Sequence, residues 1–327
     1  MKVEMPIFAN GNAGSFNAEE VGIVEEITGN KVHVTHDYSK LEQKLREYKD
    51  APLVGMMGGD GTVLQTRTRV ENIWTARPSY VLFPNGTGNN VQRAVGLKKG
   101  RKTIIKMSQA LAEGNVRFTT LASIDLNGYK SFNVGFGVAP KILWHEYGHS
   151  AEAYLAEQRK LRQARTVEQE PVTKIGNHST FRTIYEIYRG VNQPHSWEQY
   201  LFSQRLDGNI KVDGKDWKEL GLPQPLGIYL ASYEEANFNL GLLNPKPAPG
   251  AREVEGKLQI VAPYGRARDI TRQLWKVVLG REMGKTLYAH VEKVELPDEV
   301  LGQACGEILR AKGFTARYDG TCNVMTL

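Results

Sequence analysis

Short apolar runs alternate with helix-like stretches over about the first 125 residues of the chain. The runs predict strands at residues 3–8, 31–35, 53–57 and 80–83, and the stretches between them predict helices at 19–28 and 38–48. Alternation of strand and helix is typical of a parallel sheet covered by helices. The pattern therefore predicts an N-terminal α/β domain, in which a ligand would bind at the carboxyl ends of the strands.

The pattern changes after about residue 122. Strands are predicted at 121–126, 131–134, 198–206, 226–233 and 257–261, and no regular helices separate them. This favours a second, β-rich domain with antiparallel strands arranged as a sandwich. We expect residues 1–122 to form the first domain and residues 123–307 the second, with a helical insert at about 144–190. The C-terminal segment of about 308–327 is a candidate to return to the first domain.

Composition narrows the class of protein. The chain has 327 residues, 41% hydrophobic and 24% charged, which is enough to bury a sizeable core and excludes a disordered or fibrous protein. Its two cysteines, Cys305 and Cys322, are too few for a disulfide framework and fit a reducing cytoplasm. The net charge of +6 is spread along the chain and is compatible with a phosphate-bearing ligand or an anionic membrane surface.

A glycine-rich segment stands directly after a predicted strand and before a predicted helix. It reads Gly58, Gly59, Asp60, Gly61 and Thr62. Glycines let the backbone approach a ligand closely, and the N–H groups of such a turn at a helix N-terminus suit a phosphate chain. Asp60 can bind the Mg²⁺ that accompanies a nucleotide or take a proton from an attacking hydroxyl. An isolated Asp-Gly would favour an ordinary turn, but the length and position of this segment favour phosphate binding.

Two further loops of small residues follow the first and fourth predicted strands. The first begins with Asn10, Gly11, Asn12, Ala13 and Gly14, and the second spans residues 84–90. Neither is a Walker A sequence and neither reads GxGxxG. Because the carboxyl ends of parallel strands meet at one edge of the sheet, the three loops are expected to converge on an anionic ligand there.

GGDGT at 58–62 together with FPNGTGNN at 83–90 resembles the catalytic domain of the diacylglycerol kinase family, which includes bacterial lipid kinases, sphingosine kinases and ceramide kinases. The first loop resembles the family's first phosphate loop, with Gly11 in place of its usual proline. Thr35 stands where the family has a nucleotide-contacting threonine. The resemblance implies a nucleotide site made of Asn10, Gly11, Asn12, Ala13, Gly14, Thr35, Gly58, Gly59, Asp60, Gly61, Thr62, Gly86, Thr87 and Asn89.

The resemblance implies transfer of the γ-phosphate of ATP, with Mg²⁺ as the second cofactor, to a lipid hydroxyl. The first domain would bind the nucleotide and the β-rich domain the lipid. Asp60 is the expected central acid and magnesium ligand, and Asp319 is a second candidate catalytic carboxylate. The expected partner is a lipid taken from a membrane surface, so a cytoplasmic protein peripheral to the inner face of the membrane is expected. Nucleic-acid binding is not expected, and a homodimer is one candidate oligomeric state.

The chain departs from the family pattern at three places. Leu64 and Gln65 replace the Asn-Glu pair that often follows GGDGT, and Thr321 replaces the glutamate of a C-terminal Asp-Gly-Glu, so that the base must be Asp60, Asp319 or another group. The stretch 221–232 lacks an acid that some bacterial members use to hold a structural Mg²⁺. These losses keep open a nucleotide- or lipid-binding relative without kinase activity. NAD kinase is a further alternative, since its family shares GGDGT, although its second loop differs from the Asn-Gly-Thr-Gly-Asn-Asn found here.

Two other features of the insert suggest different chemistry. His145, Glu146 and His149 spell HExxH, which on a continuous helix is a zinc-hydrolase pattern, but the pattern leaves the three glycine loops unexplained. The helix predicted at 151–167 carries Arg159, Lys160, Arg162 and Arg165. Such a helix could lie on anionic lipid, and a solvated surface helix is the favoured interpretation because glutamates dilute its charge.

Overall fold

The structure of the chain is a computed structural model that describes residues 4–13, 16–86, 89–168, 171–172, 180–206, 209–231, 256–273 and 284–327. Two compact units divide these residues. The first comprises the described residues of Met1–Ser123, Gly128–Ser131 and Gly320–Leu327, and the second comprises those of Ile124–Asn127 and Phe132–Asp319.

The first unit is an α/β domain. Its strands are β1 (Ile7–Asn10), β2 (Val32–Thr35), β3 (Leu53–Gly58), β4 (Ser79–Pro84), β5 (Arg117–Leu126, which ends in the second unit) and β6 (Tyr129–Ser131). Its helices are α1 (Ala18–Thr28), α2 (Tyr38–Glu47), α3 (Asp60–Ile73), α4 (Asn90–Ala94) and α5 (Arg101–Glu113). The strands run parallel in the order β2-β1-β3-β4. All six residues of β3 are buried, as expected for a central strand of a parallel sheet.

The second unit is rich in antiparallel strands. Its elements are β7 (Asn133–Gly137), α6 (Val138–Glu146), α7 (Ala151–Gln163), α8 (Thr180–Asn192), α9 (Trp197–Ser203), β8 (Lys211–Val212), β9 (Lys215–Asp216), a 3₁₀ turn (Trp217–Leu220), β10 (Gly227–Ala231), β11 (Leu258–Pro263), α10 (Ala267–Thr271), β12 (Thr286–Val291), β13 (Lys293–Leu296), β14 (Leu301–Ala304), β15 (Glu307–Arg310) and β16 (Phe314–Thr326, which ends in the first unit). Six of these strands form an antiparallel sheet in the order β12-β11-β10-β7-β14-β15. The predicted fold class, an α/β domain followed by an antiparallel β-rich domain, is confirmed.

The last strand continues from one unit to the other along the chain. Its first half pairs antiparallel with β13 in the second unit, and in the first unit Val324 pairs parallel with Tyr80 of β4.

One predicted strand is wrong, because residues 198–206 include most of helix α9. The Ser196 side chain accepts the N–H of Gln199 and caps the helix, while the Gln199 side chain accepts the N–H of His195. This arrangement is close to a capping box, which the Ser-Trp-Glu-Gln sequence could have indicated. Leu201 and Phe202 then face a core shared with α6, α7 and α8.

Candidate phosphate-binding site

The register of the parallel strands brings the predicted loops to one edge of the sheet. Asn10 pairs with Thr35 at the ends of β1 and β2, and Gly58 pairs with Pro84 at the ends of β3 and β4. Strands β1 and β3 are neighbours in the sheet and link these two pairs, with Ala9 paired to Met57. The loops after all four strands therefore begin at neighbouring carboxyl ends, which is where ligands bind in such sheets.

Helix α3 begins inside the central glycine segment. Gly59 is its N-cap residue and Asp60 its first residue, so the amides of the first turn lie at the end of β3. A side chain at Gly58 would overlap the Thr62 side chain, which leaves room only for glycine. The first amides of a helix lack partners within the helix and attract anions. This turn therefore has the backbone chemistry of a phosphate cradle.

The loop after β4 is fastened to this turn by hydrogen bonds. The Asp60 carboxylate accepts the backbone N–H of Val91 at 3.2 Å, and the Gln92 side-chain amide donates to the Gly58 carbonyl at 3.1 Å. A side chain at Gly86 would overlap the backbone of Gly59, so the two loops are in backbone contact. The central and last glycine loops are thus joined by hydrogen bonds and by backbone contact.

Two buried acceptors beside this structure have no hydrogen-bond donor among the described residues. They are Asn89 Oδ1 and Gln92 Oε1. The Asn89 amide nitrogen donates to the Gly86 carbonyl at 2.7 Å, and the backbone of Asn89 is left-handed, a conformation that asparagine tolerates. A buried acceptor without a donor lowers the free energy of unfolding. These two oxygens are therefore suited to accept a hydrogen bond from a ligand's hydroxyl or amine, or to bind a cation.

The first loop is held by the end of β2 and by a histidine that the sequence did not single out. Gly11 donates its N–H to the Thr35 carbonyl at 2.9 Å, and the Asn12 side-chain amide donates to the His36 carbonyl at 2.6 Å. The His36 ring is also within 3.1 Å of Asn12 Oδ1. A Cβ at position 11 would lie within 3 Å of that ring, so a larger residue here would require the exposed His36 side chain to move.

Gln65 marks the first departure from the family pattern, and its side chain is used within the fold. It is buried on α3, and its Oε1 accepts a hydrogen bond from Arg69 at 2.6 Å. Arg69 lies over the ring of Tyr38 and pairs with Glu42 on α2. Residue 65 therefore contributes to the contact between α2 and α3.

A buried arginine on α3 is a second feature that the sequence did not reveal. Arg67 is fully buried, forms an ion pair with Glu71 at 2.6 Å, and donates hydrogen bonds to the Ser131 carbonyl and the Ser123 hydroxyl. Tyr80 donates its hydroxyl hydrogen to Glu71 at 2.9 Å. Burial acts to lower the pKa of Arg67, but the neighbouring Cys322, Glu71 and Tyr80 side chains raise it above its usual value. Arg67 therefore stays charged and joins the helix beneath the glycine turn to β5 and β6.

The remaining predicted site residues are placed as follows. Asp319 is partly buried on β16 and belongs to the second unit, whereas Asp60 belongs to the first. The backbone carbonyl of Thr321 accepts a hydrogen bond from Arg77 at 3.1 Å. Gly14 and Thr87 lie outside the described residues. The other members of the predicted nucleotide set lie at the carboxyl ends of β1 to β4, in the loops that follow them or in the first turn of α3.

The HExxH segment does not lie on one continuous helix. Helix α6 ends at Glu146, and Gly148 has a left-handed backbone, so that His149 lies beyond the helix. His145 is buried and stacks on Phe202, while His149 packs on Trp144. Among the described residues there is no group of three or more His, Cys, Asp or Glu side chains arranged to hold a metal ion. The helical spacing on which the zinc hypothesis rests is therefore not present.

Comparisons with known proteins agree with the resemblance noted from the motifs. Residues 5–124 match the family model described as the diacylglycerol kinase catalytic domain. A search of curated proteins finds no match to the chain. No helix in the described part of the chain is both long and apolar enough to cross a bilayer.

Solved structures with the same fold come from Bacillus anthracis str. Sterne. A crystal structure of a candidate diacylglycerol kinase has a TM-score of 0.62 at 14% identity, covering 98% of this chain and 96% of its own. A crystal structure described as a diacylglycerol kinase has a TM-score of 0.58 at 13% identity, covering 99% and 97%. Another candidate diacylglycerol kinase has a TM-score of 0.62 at 14% identity, covering 99% and 97%. At these identities the likeness establishes the fold.

Proposed function

We propose that the protein is a lipid kinase that transfers the γ-phosphate of ATP to a lipid hydroxyl. The observation that carries the proposal is the joining of two glycine loops by Asp60, which accepts the Val91 N–H at the N-terminus of α3. Phosphoryl transfer needs positioning and charge neutralisation rather than covalent chemistry, and helix amides beside a carboxylate supply both. The family match over residues 5–124 and the diacylglycerol kinases of similar fold support a lipid as acceptor.

The residues at this edge fit a nucleotide accompanied by Mg²⁺. The backbone of residues 58–62 would hold the phosphates, with the loops at 10–13 and 85–90 on either side. Mg²⁺ in such sites takes one or two carboxylates together with phosphate oxygens and water, and Asp60 supplies a carboxylate here. When bound, the ion would neutralise charge on the phosphates. The donorless oxygens of Asn89 and Gln92 offer further hard ligands or hydrogen-bond acceptors.

The proposed reaction forms a bond between the lipid hydroxyl oxygen and the γ-phosphorus and breaks the bond from that phosphorus to the β–γ bridging oxygen. ADP leaves with the electron pair of that bond, and the hydroxyl proton passes to a carboxylate. Asp60 is the proposed proton acceptor, with Asp319 as the second candidate. Thr321 cannot take this role, because a hydroxyl is not a base at neutral pH.

Transfer of labelled phosphate from γ-labelled ATP with Mg²⁺ would test the proposal. The acceptors are detergent micelles containing diacylglycerol, ceramide, a sphingoid base or phosphatidylglycerol, with NAD⁺ as an additional acceptor. Transfer to one of the lipids, abolished by Asp60→Asn, is the expected result. Transfer to NAD⁺ alone would establish the NAD kinase alternative. Binding of ATP without transfer to any acceptor would establish a binding protein that lacks kinase activity.

A further inference from the structure

Two consecutive helices of the second unit expose four aromatic side chains. The exposed fractions are 64% for Tyr185 and 45% for Tyr188 on α8, and 50% for Trp197 and 58% for Tyr200 on α9. We refer to these four residues as the aromatic face. The other large apolar side chains exposed in the described residues are scattered along the chain, at Val34, Tyr38, Phe118, Leu220 and Leu327. These four are therefore the largest group of such side chains within a short stretch of the described sequence, spanning sixteen consecutive positions.

On α8, the two tyrosines of the aromatic face lie opposite the side of the helix that packs into the core. Ile187 and Val191 are buried at helical spacing, whereas Tyr185, Tyr188 and Arg189 project from the other side of the helix. Helix α9 contacts α8 and buries its own Leu201 and Phe202 in the same core. The core contacts that stabilise both helices are thus made by other side chains, so the exposed aromatic residues are not needed for folding.

Basic side chains are exposed on α8, which carries part of the aromatic face, and on and after α10, which packs against α8 and α9. They are Arg182 and Arg189 on α8, Arg268 on α10 and Arg272 directly after it. Residues 180–206 and 256–273 together contain seven Lys and Arg residues and three Asp and Glu residues. This part of the surface therefore favours an anionic partner.

Tyrosine and tryptophan together with arginines on the same or an adjacent helix have the chemistry of a membrane interface. Their rings are apolar and their O–H or N–H groups are polar, so they are enriched at the level of the lipid headgroups. Arginine pairs with the phosphates of anionic lipids and so strengthens binding to a negatively charged membrane surface. A protein partner would not by itself require this combination of amphipathic rings and positive charge.

We propose that the aromatic face is the surface with which the protein docks on an anionic bilayer. This inference rests on the proposed function, since a lipid kinase must reach an acceptor held in a membrane. The sequence offered the helix at 151–167 as an alternative candidate for lipid contact, although a solvated surface helix was the favoured interpretation. Tyr154, Leu155 and Leu161 of that helix, now α7, are buried in the core of the second unit. Helix α7 therefore has no apolar face to offer to lipid.

Sedimentation with vesicles tests the docking surface without using the kinase reaction. The protein is mixed with vesicles of phosphatidylcholine alone or of phosphatidylcholine with phosphatidylglycerol. We expect binding to the anionic vesicles that weakens as salt is added, because exposed charges are screened. Replacing Tyr185, Tyr188, Trp197 and Tyr200 together by serine is expected to lower vesicle affinity by about tenfold or more. The matched control replaces Phe118 and Leu220, which are exposed elsewhere, by serine and should bind as the unmodified protein does.

A second variant changes charge alone. Arg189→Gln with Arg272→Gln leaves the aromatic rings in place and should weaken binding to anionic vesicles and reduce its dependence on salt. Equal binding by the unmodified protein and the serine variant would overturn the proposal. So would light scattering that shows a dimer in the unmodified protein and a monomer in the serine variant without any vesicle binding, because the face would then join two copies of the chain.

Lipid phosphorylation separates this proposal from the proposed function. The serine variant should phosphorylate a lipid in detergent micelles at the normal rate and lose turnover on the same lipid in anionic vesicles. If no lipid is phosphorylated in micelles by the unmodified protein, the proposed function fails, and vesicle sedimentation still decides the docking surface. If micellar and vesicle turnover of the variant are both normal, the docking surface fails and the lipid kinase stands.

Discussion

The carboxylate of Asp60 accepts the backbone N–H of Val91 at 3.2 Å and so joins the first turn of α3 to the first turn of α4. Asp60 is buried, and its neighbours Gly59 and Gly61 leave the backbone around it open to a ligand. The residue proposed to accept a proton therefore also holds two glycine loops together. Substitutions at this position must separate these two roles.

Asp60→Asn and Asp60→Ala separate them because asparagine keeps an oxygen that can accept the Val91 N–H. We expect Asp60→Asn to retain its stability and its binding of ATP measured without Mg²⁺, while phosphoryl transfer falls by at least about 10² to 10⁴, the usual contribution of a general base. Asp60→Ala should lose transfer and also about 1–3 kcal/mol of unfolding free energy, because a buried N–H loses its acceptor. Urea unfolding and single-turnover kinetics measure the two effects. Normal turnover by Asp60→Asn would remove Asp60 from the chemistry.

Backbone contact between Gly86 and Gly59 leads to a second prediction. In Gly86→Ala the added methyl group would overlap the Gly59 backbone, which has no flexible side chain that could move away. We expect a loss of about 1–3 kcal/mol in unfolding free energy, typical of overpacking, together with weaker ATP binding.

Gly22→Ala is the matched control for this substitution. Gly22 is exposed in α1, and a methyl group there would meet no atom within 4 Å. Because alanine favours helices over glycine, the control should gain up to about 1 kcal/mol and bind ATP normally. Equal stability of the two alanine variants in urea would contradict the close contact of the loops.

The sequence was sufficient for the first domain because its strands are short, apolar and separated by helices. Leu53–Gly58 is apolar throughout and ends at glycines, so its place at the centre of a parallel sheet could be predicted. Convergence of the glycine loops followed from the same parallel order. The sequence could not show the packing of His36 on Gly11, because this contact joins loops that follow different strands.

One feature that depends on long-range packing was missed, and one segment that depends on a local helix cap was predicted wrongly. Arg67 was not recognised as buried, since its partners Ser123 and Ser131 are more than fifty positions away. Residues 198–206 have apolar side chains that fit a strand as well as a helix, and the local cap at Ser196 decides for the helix. Short apolar runs are ambiguous in this way until their caps are considered.

The buried ion pair between Arg67 and Glu71 leads to a third prediction. Arg67→Met should remove the cation and leave the buried Glu71 carboxylate with Arg77 and the Tyr80 hydroxyl as partners, so a loss of about 3 kcal/mol is expected, at the lower end of the range for a broken buried pair. Arg182 and Glu186 provide a matched control, because they have the same four-residue spacing and a similar contact, at 2.7 Å against 2.6 Å, but on an exposed surface. Arg182→Met should cost no more than about 0.5 kcal/mol. Denaturant unfolding compares the two variants, and equal losses would show that burial of Arg67 contributes nothing.

Acid sensitivity of the first unit is expected to arise in part at His33. Burial lowers the pKa of this imidazole below its usual value, and the nearby Lys31 and Lys44 lower it further. The unfolded chain therefore takes up a proton at higher pH than the folded chain, so the unfolding free energy should fall as the pH decreases from about 6.5 through the folded pKa.

His33 is within 2.9 Å of the Tyr48 hydroxyl, and its ring packs on that of Phe8. His33→Asn, which cannot be protonated in this range, should be less stable near neutral pH and should show a smaller loss of stability on acidification. The exposed control His195→Asn should keep the full loss. Urea unfolding of the three proteins across this pH range measures the difference, and an unchanged pH dependence in His33→Asn would assign the acid sensitivity to other groups.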